Sequence, residues 1–329
     1  MDTMNLALGA MKFGTTVDER TAFALLDQFM DAGGTWIDTA DCYAFWDSAS
    51  GHGGQSEEVL GRWLAARPGI RDRVRISTKF GAEPSVAGQW PASRTGLGGT
   101  AIRTQLERSL GRLGTDHVDL AWAHMEDRKI PVTDVADAMS ALHDDGLAAR
   151  LGMSNHASWR VATARIRALG QGREPVSALQ HSYSYLHPRP GTPSPDHRFG
   201  FLSDDHLDLA ATDGLEIWAY TPLLSGAYDN PAKEIPEHFG HPGTVRRLAA
   251  LGEAADAVGL TRGQVVLAWL AGHAPAVRPI LGGSKPEQLT AAIAAVRAGL
   301  PEDVRARLDA VEPLTPRLNH DLVPEPDAV

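Results

Sequence analysis

The sequence predicts an α/β fold, a (β/α)8 TIM barrel with long loops on its C-terminal face. Three observations point there. Short β-type runs alternate with longer helical patterns from end to end, eight such units can be counted, and no break in composition divides them. With 329 residues and 43% hydrophobic content the chain can bury a full core. Length alone admits one barrel or two smaller domains. The unbroken count favours one barrel over residues 1–316, and leaves 317–329, poor in apolar residues and carrying Pro324, Glu325 and Pro326, as a loosely ordered tail.

In chain order the strands are expected at Leu6–Gly9, Thr35–Thr39, Val74–Lys79, Val118–His124, Leu151–Ser154, Ala178–His181, Glu216–Tyr220 and Arg278–Leu281. Helical spacing fills the intervals. Ile102, Leu106, Leu110 and Leu113 mark a core-facing stripe before the fourth strand. Trp159, Ala162, Ile166 and Leu169 mark one after the fifth, and Leu248, Leu251, Ala255 and Val258 one after the seventh. Three connections are longer than barrel loops usually are: Ala44–Gln55, His187–Gly200 and Tyr228–Gly243. Each follows a strand, so each is expected at the C-terminal rim, where barrels bind their ligands.

Composition excludes several functions. A net charge of −10 lacks the basic field that nucleic acid needs. Cys42 is the only cysteine, which rules out an internal disulfide and any cysteine-based zinc motif and fits a reducing, cytoplasmic setting. The N-terminal residues have neither the basic nor the apolar region of an export signal, and no run reaches the roughly 18 apolar residues of a spanning helix, so no membrane association is expected. Thirteen histidines raise metal chemistry, but no His-x-His or His-Glu-x-x-His pair occurs, and His52, His181, His187 and His206 look scattered over loops and helix starts. No metal site is expected.

The chemistry gathers at strand ends. Asp38 ends the second strand, Lys79 the third and His124 the fourth, and Tyr43 lies just beyond Asp38. Singly, each has an ordinary reading: a turn cap, a solvated charge, a satisfied core histidine. On consecutive strands they converge on one rim, and a titratable cluster there reads as a reaction site. A phenol titrates near 10, and an adjacent ammonium is expected to lower it, making Tyr43 a general acid. Asp38 would hold Lys79 charged, and His124 would orient a carbonyl oxygen.

With these residues in place the chain resembles the aldo-keto reductase family over nearly its full length. Asp38-Thr39-Ala40-Asp41-Cys42-Tyr43 resembles the family's Asp-Thr-Ala-x-x-Tyr, and Ser56-Glu57-Glu58-Val59-Leu60-Gly61 its Ser-Glu-x-x-Leu-Gly. Ile76-Ser77-Thr78-Lys79 is similar to its lysine strand, and Val118-Asp119-Leu120 through His124 and Asp127 to its histidine strand. The resemblance implies NADPH-dependent reduction of an aldehyde or ketone, with Tyr43, Lys79, Asp38 and His124 as catalytic tetrad. It implies that Ser154, Asn155 and Gln180 bind the nicotinamide carboxamide, that Tyr220 stacks on the ring, and that Thr221, Leu223, Ser225 and Gly226 line the same nucleotide. Stacking is sensible physically, because an aromatic face fixes the ring plane.

No Gly-rich turn follows the first strand, so a Rossmann site is disfavoured. Gly96-Leu97-Gly98-Gly99 reads as a flexible loop. Barrels bind phosphate near strands seven and eight, where Gly282-Gly283-Ser284-Lys285-Pro286-Glu287-Gln288 opens a helix. There Ser284 and Lys285 would take a 2′-phosphate, with Gln288 close by. The family's acidic residue and Asn just beyond are replaced by Ala291 and Ala292, which leaves NADH as the less favoured cofactor rather than an excluded one. Ala44 stands where a glycine often follows the tyrosine. Phe45, Trp46 and Trp90 are expected to give a small-molecule carbonyl substrate an apolar or aromatic wall, while Arg189, His197 and Arg198 would meet an anionic or hydroxylated group. Two other functions remain: a nucleotide-binding sensor or regulatory subunit, and a Schiff-base lyase using Lys79.

Overall fold

The computed structural model describes residues 4–195 and 199–311. The expected eight strands form, all parallel, and close in sequence order: β1 (Ala7–Gly9), β2 (Trp36–Asp38), β3 (Arg75–Phe80), β4 (Leu120–Ala123), β5 (Leu151–Ser154), β6 (Ala178–Ser182), β7 (Glu216–Tyr220) and β8 (Val277–Gly282), with β8 pairing back to β1. Boundaries differ from the expected ones by a residue or two, as strand ends do. Ten α-helices occur among the described residues: α1 (Glu19–Asp31), α2 (Gln55–Ala65), α3 (Gly99–Leu113), α4 (Val132–Asp144), α5 (Ser158–Gly170), α6 (Asp204–Asp213), α7 (Pro242–Val258), α8 (Arg262–Ala271), α9 (Pro286–Ala298) and α10 (Glu302–Asp309). The expected tail 317–329 lies outside the described residues.

Side-chain alternation divides each strand between two cores. Leu8, Ile37, Ile76, Ala121, Met153, Leu179, Ile217 and Leu281 point outward to the helices. The interior is filled in layers. At the bottom Arg150 and Arg278 pair with Glu216 at 2.7 and 2.9 Å. Above them three indoles, Trp36, Trp122 and Trp218, meet edge to face at 5.0 and 5.5 Å. Gly152 makes this layer fit, since a Cβ there would overlap the Trp122 ring. Two residues further along the same strands come Asp38, His124, Ser154, Gln180 and Tyr220. The period of two thus carries a dry aromatic floor directly beneath a polar rim.

Two expectations are corrected. Trp159, Ile166 and Leu169 do not face the core but lie 55, 71 and 57% exposed. The buried face of α5 is Arg160, Val161, Ala164, Arg165 and Ala168. The arginines can lie inward because their heads are satisfied: Arg160 pairs with Glu126 at 3.0 Å and Arg165 with Asp213 at 2.9 Å. Nor does Gly96–Gly99 hang loose. Leu97 is fully buried, its N–H donates to Asp127 Oδ2 at 3.1 Å, and Gly99 already begins α3. It ends a fourth long rim segment, residues 81–98, that the sequence reading did not separate out.

Candidate active site

Lys79 emerges from β3 fully buried, and its ammonium has three acceptors for its three N–H bonds: Asp38 Oδ2 at 2.5 Å, the Thr39 carbonyl at 2.7 Å and the Tyr43 oxygen at 2.7 Å. Asp38 faces Ser77 across the β2–β3 register. Its other oxygen, Oδ1, accepts from Ser77 Oγ at 2.7 Å and Gln180 Nε2 at 3.1 Å. Backbone bonds hold the turn after β2 to β3: Thr39 N–H donates to the Ser77 carbonyl at 2.9 Å and Asp41 N–H to the Lys79 carbonyl at 3.0 Å. The turn then brings Tyr43 over the Lys79 ammonium, which lies 4.5 Å from the ring centroid. Ala44, next in line, has φ 69°, the left-handed conformation that explains the glycine often found there.

His124 follows β4 and meets the Tyr43 ring edge-on at 5.9 Å. Asn155 Nδ2 donates to the His124 carbonyl and to Ser154 Oγ, both at 3.0 Å, and the Tyr220 hydroxyl donates to Asn155 Oδ1 at 2.7 Å. The four residues expected as a tetrad and the four expected along a nicotinamide therefore form one continuous polar surface. Gln180 is its junction, with its amide nitrogen already engaged by Asp38.

The electrostatics correct one expectation. Burial, followed by Asp38, pushes the Tyr43 phenol well above its ordinary value instead of lowering it. Burial also pulls Lys79 down, while Asp38 opposes that. Asp38 offsets much of the Lys79 charge, so the Lys79 hydrogen bond does not outweigh the cost of burying a phenolate in the resting site. The resting tyrosine keeps its proton.

The aldo/keto reductase family model matches residues 5–313. The chain belongs to the aldo/keto reductase family. It is 29% identical to a Bacillus subtilis protein named uncharacterized oxidoreductase YrpG, over 94% of this chain and 92% of that one. It is 30% identical to aryl-alcohol dehydrogenase GME11368 of Pestalotiopsis microspora, over 91 and 77% of the two chains. It is 28% identical to norsolorinic acid reductase stcV of Emericella nidulans, over 91 and 75%. Family membership makes the protein an oxidoreductase built on this barrel.

Elsewhere on the rim of this aldo/keto reductase, Thr221 (φ 51°) leads from β7 into a tight turn through Leu223, Leu224, Ser225 (φ 57°) and Gly226 (φ 93°). Lys233 reaches back to the Ser225 carbonyl, a tie that neither motif nor spacing foreshadows. Gly282 ends β8 beside Gly9 of β1, and Ser284, Lys285 and Gln288 are exposed at the start of α9, for which Lys285 is the N-cap. Phe45 packs on Trp46 at 5.0 Å and on Trp90 at 5.7 Å, against Ala40, Cys42, Ala82 and Met125. Arg189 is occupied in bracing two rim segments, donating to the Gly240 carbonyl at 3.0 Å, while His197 and Arg198 lie outside the described residues. No helix among the described residues is long and apolar enough to cross a membrane.

Sequence reasoning missed two groups. Ser77, which shares the inward face of β3 with Lys79, was legible in principle from the period of two. The other is the trio Asp41, Cys42 and His124, whose donor atoms lie within 4.8 Å of one another although motif spacing does not relate them. His181 and His206 are not scattered either: their rings lie 4.2 Å apart, and both donate to the His156 carbonyl, at 3.1 and 2.8 Å.

Proposed function

We propose that this chain is an NADPH-dependent reductase of aldehydes and ketones, with Tyr43 as general acid. The observation that carries the reading is the saturated ammonium of Lys79. Because Nζ can only donate, the Tyr43 oxygen must accept from it, and the phenol's own proton is left to point into the pocket.

Bound along Ser154, Asn155, Gln180 and Tyr220, NADPH would supply the hydride to the carbonyl carbon. The residues fit such a guest. Tyr220 offers a half-exposed aromatic face tethered by its hydroxyl, Ser154 and Asn155 offer side-chain oxygens, and a Cβ at Gly282 or Gly283 would meet nothing, so the chain there is open to close approach. Exposed Lys285 and Ser284 beside the α9 N-terminus favour a 2′-phosphate, and hence NADPH over NADH.

As the carbonyl oxygen becomes an alkoxide, it is a far stronger base than a phenolate, so a tyrosine with a raised pKa still delivers its proton. Lys79 then stabilises the phenolate, Asp38 holds Lys79 in place, and His124 directs the carbonyl oxygen. The same ammonium argues against a Schiff base, for which Nζ would need a free lone pair. The aromatic wall of Phe45, Trp46 and Trp90 favours aromatic carbonyls, and the relative named for aryl alcohols agrees with this.

The test pairs nucleotide binding, read by tryptophan quenching, with reduction of an aromatic aldehyde. Tyr43→Phe should bind NADPH like the wild type and lose roughly 10²- to 10⁴-fold in kcat. Lys285→Ala should weaken NADPH selectively relative to NADH. Full turnover in Tyr43→Phe would remove the acid role, and absence of nucleotide binding in the wild type would remove the reductase.

A further inference from the structure

We propose that Asp41, Cys42 and His124 form a binding site for a divalent transition-metal ion of the zinc class. The three offer one carboxylate, one thiol and one imidazole, a donor set of the borderline softness that zinc and cobalt accept. Two of the three donors already stand at coordination spacing, and all three lie within 4.8 Å of one another. Zinc bonds of about 2.3 Å to sulfur and about 2.05 Å to nitrogen, at a tetrahedral angle, put the two donors about 3.5 Å apart. Cys42 Sγ and His124 Nδ1 stand 3.5 Å apart.

Asp41 supplies the independent observation. It is 3% exposed, and neither carboxylate oxygen has a well-formed hydrogen bond, only a weak pull from the adjoining Cys42 N–H. A buried polar group in that condition is costly unless something answers it. Among the described residues the nearby cations are already engaged: Arg112, which acts on Asp41 only through space, pairs with Glu57 at 2.6 Å, and His52 pairs with Glu83 at 3.2 Å. An ion can enter from the pocket, since His124 and Tyr43 are half-exposed there, and three protein donors leave a fourth position for water. Binding sends the thiol proton to solvent, because thiolate is the ligand.

The site goes beyond the reductase reading, and its test does not depend on turnover. Cys42 is the only cysteine, so a thiolate-to-cobalt absorption band can arise nowhere else in the chain. Titrating the full chain with cobalt(II) should raise that near-ultraviolet band together with the visible bands of tetrahedral cobalt, saturating at one equivalent, and zinc should bleach both. Asp41→Asn should keep the band but bind cobalt at least roughly tenfold more weakly, and Cys42→Ser should lose it. The proposal is overturned by a wild type that shows no thiolate band at saturating cobalt, by a band that survives in Cys42→Ser, or by an Asp41→Asn variant that binds as tightly as the wild type.

Discussion

At the scale of the residue, the site is organised around one buried charge pair. Lys79 and Asp38 are 0 and 2% exposed in their side chains, and each has its remaining hydrogen-bonding capacity met by Ser77, Gln180, Thr39 and Tyr43. Such a pair adds little net stability, but breaking it strands a charge. Lys79→Met should therefore cost roughly 3–5 kcal/mol in urea unfolding as well as abolishing turnover. The double variant Asp38→Asn, Lys79→Met should recover most of the stability and none of the activity. Equal stability of the single and double variants would mean that Asp38 is not stranded. That Asp38, Lys79, Tyr43 and His124 would meet was legible because strand ends in a barrel share one rim. The direction of the Tyr43 shift was not, because it depends on how dry the pocket is and on how far Asp38 offsets Lys79, neither of which a sequence displays.

At the scale of the element, strands were easier to read than helices. A buried parallel strand is a short apolar run whatever its neighbours do, so all eight were found within a residue or two. The face of α5 was misread because Trp, Ile and Leu at helical spacing look like a core stripe. The true core face carries Arg160 and Arg165, whose stems are apolar and whose heads find Glu126 and Asp213 only in the folded chain. The segment 81–98 was missed because its order comes from outside it, from Asp127 and from the Gln105 side chain, which accepts from the Gly81 N–H at 2.7 Å. Gly152 shows how an element carries consequences to the site. A methyl there would press on Trp122, in the floor two residues below His124. Gly152→Ala should cost about 1–3 kcal/mol through overpacking and raise KM for the carbonyl, by displacing the indole layer toward the rim. Wild-type stability would show that the indole layer has slack.

At the scale of the whole molecule, the buried histidines predict how the barrel responds to acid. His156 is fully buried between β5 and α5; its Nδ1 donates to the Ser154 carbonyl at 2.7 Å, and its Nε2 has no partner. Burial pushes its pKa down from 6.5 to about 4, and His187 is likewise pushed down to about 3. The sign follows from proton uptake. Above pH 6.5 both folded and unfolded chains hold these rings neutral, and stability is complete. Below it the unfolded chain takes up protons that the native chain refuses, so stability falls with pH until the folded values are reached near 4 and 3. For His156 the fall from 6.5 to about 4 amounts to roughly 3 kcal/mol. The loss concerns the whole barrel, because the His156 carbonyl also receives His181 from β6 and His206 from α6, and a charged ring beside that junction would loosen three units together. His156→Asn, which cannot titrate, should have lower stability at pH 7 but a shallower decline between pH 6.5 and 4, measured as urea midpoints across the range. Parallel curves for the variant and the wild type would transfer the acid sensitivity to other groups.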